Sequence, residues 1–391
     1  MRCLLIHVLV AVENPNLLSL LLAYSASHRA RLLSHREPTN RIALWVRDVF
    51  PALRHSLDNI SNTQISNANL ATAIMLTSLE IISPSIFGVS IPWQDHLSIA
   101  RSIIRQRGGP HSISRQDPVM YFLTRWLAYL DVLGSLSGRW NEEPLFAGNY
   151  WSSSRDDKAS AREPFLGDEE GDDDDDYTID CLLGFTTRCV SILAQIALLA
   201  RQCDGQRIDA NGQIDPDWRP SKDILMQAEK LRGDLEHARD HEQTQCSHHS
   251  PVLSKSEPCT WGSNTVDLSD TEAEESLATN SAFHWAGLVH LLRRIHNLPR
   301  SDPQVQNAVH EIVKVLARIR EGGSAEACLL FPMFTAGVEA ENEVDRAAVL
   351  MRIKGAEGLG MCQVGRARKI MEEVWRTGLS WESLVTGEFL G

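Results

Sequence analysis

Apolar residues recur three and four positions apart along most of the chain, which is the spacing of one buried face of an α-helix. Residues 14–34, NPNLLSLLLAYSASHRARLLS, show the pattern clearly. Asn14 provides a helix cap there and Pro15 a first-turn residue. The chain therefore begins its ordered part with a predicted amphipathic helix.

The same periodicity predicts helices along the rest of the chain. They fall at residues 40–59, 67–84, 92–109, 117–138, 178–202, 221–241, 281–299, 301–322, 343–359 and 363–378. Pro51 is expected to kink or split the second of them. Alternation long enough for a sheet does not occur, so the sequence predicts an all-α fold, a large antiparallel helical array or bundle.

Two segments interrupt the helical pattern, and both are rich in serine, proline and acidic residues. Residues 141–177 are predicted to form an acidic disordered loop, and residues 246–280 a polar disordered loop. They divide one helical domain into three parts. Residues 1–140 are its first half, residues 178–245 its middle helices and residues 281–391 its C-terminal helices.

Composition narrows the classes of function. The chain has 391 residues, 43% of them hydrophobic, and a formal net charge of -13. Such an acidic balance argues against direct binding of DNA or RNA, which requires a basic face. Its eight cysteines are scattered, with no CxxC pair, as expected of buried thiols. Apolar runs stay below roughly 18 residues, so no membrane span is expected.

An aspartate run is the most chemical-looking feature of the chain: residues 171–185 read GDDDDDYTIDCLLGF. Asp172, Asp173 and Asp176 match the DDxxD spacing with which terpenoid synthases bind magnesium and a diphosphate. However, GDEEG precedes the run instead of an apolar helix, and no second metal motif follows it. We therefore interpret the run as a solvated, exposed linker, with Tyr177–Asp180 starting the next helix. A metal-dependent all-α enzyme remains the alternative function.

Histidines form a second cluster of candidate ligands. His237, Cys246, His248 and His249 lie within a short span, and His241 shares a helix face with His237. No glutamate stands in an HExxH arrangement, and most of the cluster lies in the polar loop. We therefore expect no catalytic residue, metal site or cofactor, and a protein that is not an enzyme. The histidines at 28, 96, 284, 290 and 296 are expected at helix interfaces.

Four blocks in order carry a resemblance: IPWQDHLSIARSIIRQRGG, FLTRWLAYLDVLGSLSG, LLGFTTRCVSILAQIALLA, and a C-terminal block that begins HWAGLVHLLRRIHNLP. Over roughly Asn16 to Arg376 the chain resembles the helical regulatory domain of fungal zinc binuclear cluster transcription factors, in the subgroup similar to arginine and acetate metabolism regulators. The matching signature residues are Trp93, His96, Leu97, Gly108, Gly109, Asp131, Gly138, Gly184, Phe185, Pro332, Phe334, Gly337, Glu339, Asp345, Arg346 and Trp375.

Most signature residues have a structural interpretation. Gly108 and Gly109 are expected to end a helix. Pro332 and Gly337 are expected to bend the chain between helices, and Asp345 with Arg346 to cap and brace the next helix.

The resemblance implies a regulator of transcription that is located in the nucleus. Without the resemblance, the expected location of the protein would be the cytoplasm. The resemblance also implies a small-molecule effector and a homodimer, or a heterodimer with related transcription factors. The six-cysteine zinc cluster with which the family reads DNA does not occur in these 391 residues. We therefore expect no zinc, no DNA-binding residue and no direct contact with nucleic acid or membrane, as from a truncated gene or a protein that acts without its own DNA-binding module.

Overall fold

A computed structural model describes residues 14–58, 66–84, 91–113, 117–138, 146, 150–151, 174–180, 183–209, 213–215, 217–245 and 268–391. The first helices are α1 (Pro15–Leu32), α2 (Thr39–Val46), α3 (Val49–Asp58), α4 (Asn67–Ile82), α5 (Trp93–Gln106) and α6 (Pro118–Ser137). The later ones are α7 (Thr187–Arg207), α8 (Lys222–Asp240), α9 (Leu268–His290), α10 (Pro303–Leu316), α11 (Leu330–Glu339), α12 (Glu343–Glu357) and α13 (Cys362–Thr377). The all-α prediction is confirmed.

Shorter turns connect these helices. They are 3₁₀ turns at Pro110–Ser112, Asp174–Tyr177, Ser324–Cys328 and Trp381–Ser383, and a π turn at Leu291–Ile295 that continues α9. Two strands of two residues each, β1 (Thr178–Ile179) and β2 (Thr244–Gln245), pair in parallel.

Capping side chains set where the helices begin. Asn14 Oδ1 accepts hydrogen bonds from the backbone N–H groups of Asn16 and Leu17, at 3.1 and 3.0 Å. Ser66, Asp117, Thr186 and Ser221 cap later helices in the same way. These caps satisfy amide groups that have no partner inside the helix, and they confirm the start predicted at Asn14.

Proline and glycine have less uniform effects than the sequence predicts. The predicted split near Pro51 is confirmed, since α2 ends at Val46 and α3 starts at Val49. The prediction that Pro332 and Gly337 bend the chain between helices is wrong, because both lie within α11. Pro332 is in the first turn, where its missing N–H is not needed. At Gly337 a Cβ would overlap Met371 Sδ, so glycine permits close helix packing.

The helix expected to begin at Tyr177–Asp180 starts instead at Thr187. The Thr186 hydroxyl accepts the Cys189 amide at 3.1 Å and fixes the start of α7. Gly184, with φ of +79°, turns the chain just before this cap. Of the residues before this turn, Thr178 and Ile179 form β1 and not the start of a helix.

Parts of both predicted loops are ordered, and for these parts the prediction of disorder is wrong. Within 246–280, α9 begins at Leu268, and its buried Glu275 accepts from Arg320 Nε at 2.5 Å. Within 141–177, Tyr150 is fully buried and donates its hydroxyl hydrogen to Asp131. A hydrogen-bond partner on another element holds each segment in place: the exposed Arg320 for Glu275 and the buried Asp131 for Tyr150. Most other residues of the two segments lie outside the described residues.

One continuous hydrophobic core runs through the described helices, and helices adjacent in sequence pack against each other. The array closes on itself, because α13 packs against α4 and the chain before α13 contacts α1. His28 Nε2 donates to the Leu359 carbonyl at 2.7 Å, across 331 residues of sequence. Across the described ranges, no helix combines the length and apolarity needed to span a bilayer.

Candidate functional site

Where the structure describes it, the aspartate run does not form the helical metal motif that was the alternative to a linker. Asp172 and Asp173 lie outside the described residues, and Asp176 belongs to a 3₁₀ turn that is followed by β1. Asp176 is only partly exposed, contrary to the expectation of full exposure. Its carboxylate accepts from Thr187 Oγ1 at 3.4 Å. It thus lies at the start of α7, where the helix dipole favours a negative charge.

The histidine cluster is brought together only in part. His237 and His241 have ring centroids 5.9 Å apart, and His241 stacks on Tyr177 at 3.7 Å. Cys246, His248 and His249 lie outside the described residues. In the portion of the chain that is described, no group of three or more His, Cys, Asp and Glu side chains could hold a metal ion.

The first N-terminal signature residues are a buried acid and two side chains of α5. Asp131 on α6 accepts from Arg101 Nε at 2.8 Å, and burial together with the Asp131 charge raises the pKa of the Tyr150 hydroxyl. Trp93 donates its indole N–H to the Gly387 carbonyl at 2.9 Å, which ties α5 to the C-terminal segment. Burial lowers the pKa of His96 to about 4, although Asp95 raises it, so this imidazole is neutral at pH 7.

The other N-terminal signature residues lie at helix ends and in the core. Leu97 is buried on α5, and Gly108 and Gly109 follow that helix with φ of +93° and +92°. Gly138 follows the last residue of α6. Gly184 turns the chain before Phe185, whose ring lies 4.1 Å from that of Phe283 on α9.

The C-terminal signature residues form a third group around α11. Glu339 is buried and accepts from Arg293 Nε at 2.7 Å. The Trp375 indole donates to the Gly337 carbonyl at 2.7 Å, and the Arg346 guanidinium lies 5.5 Å from the Trp375 ring centroid. These contacts hold α11, α12 and α13 together.

Two further signature residues complete this group. Phe334 is buried on α11 beside the Trp381 ring. Asp345 is in the first turn of α12, where its amide donates to the Asn342 cap at 2.8 Å. The cap residue is therefore Asn342, one turn before the pair that the sequence suggested.

A buried charge centre lies where α6, α7, α9 and the C-terminal segment meet. Arg294, 1% exposed, donates to both Asp204 Oδ2, at 2.5 Å from Nη2, and the Leu136 carbonyl, at 2.7 Å from Nη1. Arg207 donates to Asp204 Oδ1 at 2.8 Å and to Glu382 Oε1 at 2.8 Å. Each charge therefore has an oppositely charged neighbour, as burial requires.

The electrostatics of the buried charge centre follow from these pairs. Burial alone would raise the pKa of Glu382, but Arg207 and Arg294 outweigh it and lower the pKa to about 2. Burial, assisted by Arg294, lowers the pKa of the adjacent His290 to about 3. The void beside His290 and Trp381 measures about 10 Å³, room for a single water molecule. The buried charge centre is thus fitted for structure and not for a metabolite.

A larger space, here called the basic groove, lies between the end of α1 and the start of α13. It measures about 550 Å³, within the usual range of small-molecule sites. Its lining residues are Arg31, Glu357, Gly360, Met361, Cys362, Gly365, Arg366, Arg368 and Lys369. Four of these side chains are cationic and one is a carboxylate, in a chain whose net charge is -13.

Helix geometry explains why the basic groove has this lining. Cys362, Gly365, Arg366 and Lys369 are spaced i, i+3, i+4 and i+7, so they share one face of α13. Opposite them, Arg31 donates from Nη1 to Cys362 Sγ at 2.9 Å. The basic groove therefore depends on residues from both ends of the described chain.

Sequence reasoning missed both the buried charge centre and the basic groove. The spacing of small and cationic residues on α13 was a usable signal. The partner Arg31 was not, because its sequence separation from Cys362 is 331 residues. Nor does periodicity distinguish Arg294, 1% exposed, from a surface arginine on the same helix.

The chain belongs to the family of the fungal specific transcription factor domain, whose family model matches residues 5–385. This family membership confirms the resemblance and assigns the chain a role in transcription regulation. Neither a curated protein nor a solved structure was found to match it.

Proposed function

We propose that this chain regulates the transcription of metabolic or secondary-metabolite genes in the nucleus, by sensing an effector and by dimerising. The observation that carries the proposal is the family match, which extends over residues 5–385 and so includes every described helix. An all-α array closed around one core is a scaffold whose function must lie in its surfaces and cavities.

Contact with DNA is proposed to be indirect, through a partner protein. The net charge of -13 supports this, because phosphate binding needs a surplus of basic side chains over a broad face. A gel-shift assay with the purified chain and a library of random duplexes tests it. We expect no sequence-specific complex at physiological salt, and a tight, site-specific complex would overturn this part of the proposal.

Apolar side chains exposed on two packed helices support dimerisation. Leu18 and Leu22 lie one turn apart on α1, exposed to 39% and 43%, and Leu44 on α2 is 63% exposed. Light scattering after size exclusion should give twice the monomer mass. Leu22→Glu with Leu44→Glu should reduce it to the monomer mass, whereas Leu198→Glu on α7 is the control at a distant exposed leucine. A monomeric wild-type chain would contradict the homodimer.

Transcription itself is tested in cells. Deletion of the gene in its fungal host should change the levels of a coherent set of metabolic transcripts. RNA sequencing measures this change. Re-expression of this 391-residue chain should restore the transcripts. An unchanged transcript profile under every nutrient condition tried would contradict the proposal.

A further inference from the structure

The basic groove has two cationic side chains that nothing in the described chain neutralises. Arg31 is paired with Glu37 at 2.7 Å, and Arg368 with Glu357 at 2.7 Å and Glu372 at 2.8 Å.

Arg366 and Lys369 instead are exposed, and in the described residues neither has an ion pair or hydrogen bond from its side chain. The basic groove therefore presents two cationic side chains without a paired carboxylate, one turn apart on α13.

Backbone groups add to this positive field. α13 begins at Cys362, and its cap residue Met361 makes no side-chain cap hydrogen bond in the described structure. The first-turn amides of a helix without such a cap, together with the helix dipole, favour an anion. Gly360 and Gly365 line the same space without side chains, so a ligand can approach the backbone closely.

We propose that the basic groove is the effector site and that it binds a small metabolite carrying a phosphate monoester. Such a group has a charge near -2 at neutral pH and can pair with both Arg366 and Lys369, the two cations that have no carboxylate partner in the described chain. Its three oxygens can accept from the guanidinium, the ammonium group and backbone amides together. A volume of about 550 Å³ leaves space for the rest of the molecule. This inference rests on the proposed function.

Binding in the basic groove would also join distant parts of the chain. Arg31 lies at the end of α1, and Arg366 and Lys369 lie on α13. Because Arg31 lines the same space, a ligand that fills the basic groove would contact both elements beside the hydrogen bond that His28 and Leu359 already make. Binding of the ligand is therefore expected to stabilise the closed array.

Isothermal titration calorimetry on the full chain tests the site, with glucose 6-phosphate as the probe and glucose and succinate as comparators. We expect saturable 1:1 binding of the phosphate ester, weaker at higher salt, no binding of glucose and weaker binding of succinate. The double variant Arg366→Gln with Lys369→Gln should lower the affinity for the phosphate ester by about tenfold or more. Lys222→Gln with Arg318→Gln, which removes the same charges from other exposed positions, should leave the affinity unchanged.

Gly365→Leu provides a second variant that keeps every charge but fills the basic groove, and it should also weaken binding. Circular dichroism and urea unfolding establish that each variant is folded. The inference is overturned if glucose 6-phosphate and glucose behave alike, if succinate binds as tightly as the ester, or if the groove variants bind as the wild type does. If transcripts still depend on the gene in that case, only the site assignment fails and the proposed function stands.

Discussion

At the buried charge centre, Arg294 donates to a carboxylate and a carbonyl and is 1% exposed, whereas at the basic groove Arg366 and Lys369 are exposed and unpaired within the described structure. Buried charge must be neutralised where it lies, so its partners are built into neighbouring helices. An exposed charge is solvated by water, so it needs no partner within the chain and can bind a ligand from solution. Comparing the two shows that a cationic side chain supports either the fold or a ligand, depending on whether the chain itself supplies the counter-charge.

Replacing the central arginine should have the largest effect. Arg294→Met leaves Asp204 Oδ2 and the Leu136 carbonyl without the donor described above, and should lower the free energy of unfolding by about 3 to 5 kcal/mol. Urea unfolding followed by circular dichroism measures it. Arg318→Met, at an exposed position, is the control and should keep the wild-type midpoint. Equal midpoints for the two variants would mean that the buried charge centre does not stabilise the fold.

Acid should weaken the buried charge centre next. Because the pKa of His290 is lowered from 6.5 to about 3, the unfolded chain takes up a proton that the folded chain does not. The stability contribution is complete above pH 6.5 and is lost as the pH falls towards 3. At pH 5 the loss is about 2 kcal/mol for this histidine.

Urea unfolding at pH 7 and pH 5 compares the wild type with His290→Gln, which can bond Thr335 but cannot charge. The variant should lose about 2 kcal/mol less between the two pH values. Equal losses would show that His290 titrates normally in the folded chain. Glu382, with its pKa lowered to about 2, should add a separate loss only below about pH 4.5.

A smaller effect is expected at the wall of the basic groove. Gly360 has φ of +73°, and a Cβ there would lie 2.9 Å from the Leu32 backbone nitrogen. Gly360→Ala should cost about 1 to 3 kcal/mol in urea unfolding. Gly322→Ala is the matched control, because its φ of +71° is similar and no described atom lies within 4 Å of the added Cβ. If the two costs are equal, the close contact with α1 contributes nothing.

The smallest effect on stability should come from the groove cations themselves. Arg366→Gln with Lys369→Gln should change the free energy of unfolding by less than about 0.5 kcal/mol, since both side chains are exposed. The same unfolding experiment measures it. A large loss would show that these residues support the fold, and would remove the contrast with the buried charge centre.

Local signals in the sequence were enough to find the helices. Asn14, Pro15 and Gly108 act on their own neighbours, so their effects are visible in a short stretch of sequence. Pro332 and Gly337 were misplaced because their effect depends on position within a helix and on Met371, a partner from another helix. The helical part of 246–280 was missed for a similar reason, since Glu275 reads as a solvated acid until Arg320 is known to bind it.

The sites were less predictable than the fold. The aspartate run drew attention because its residues are adjacent in sequence, yet Asp176 lies at a helix start and contacts Thr187. The basic groove joins residues from α1 and α13, and only the packing of the closed array reveals it. That the family signature residues have a mainly structural role remains a prediction. The structure places each of them at a helix end, in the core or in a packing contact.

The helical array closes where residues just before α13 contact α1. This contact has a consequence for how the protein is synthesised. A ribosome adding roughly 5 to 20 residues per second needs roughly 15 to 70 seconds to synthesise the 331 residues between His28 and Leu359. During that time His28 and Arg31 of α1 lack the Leu359 carbonyl and the Cys362 thiol that they bind in the folded chain. The contact that closes the array can therefore form only after most of the chain has been synthesised.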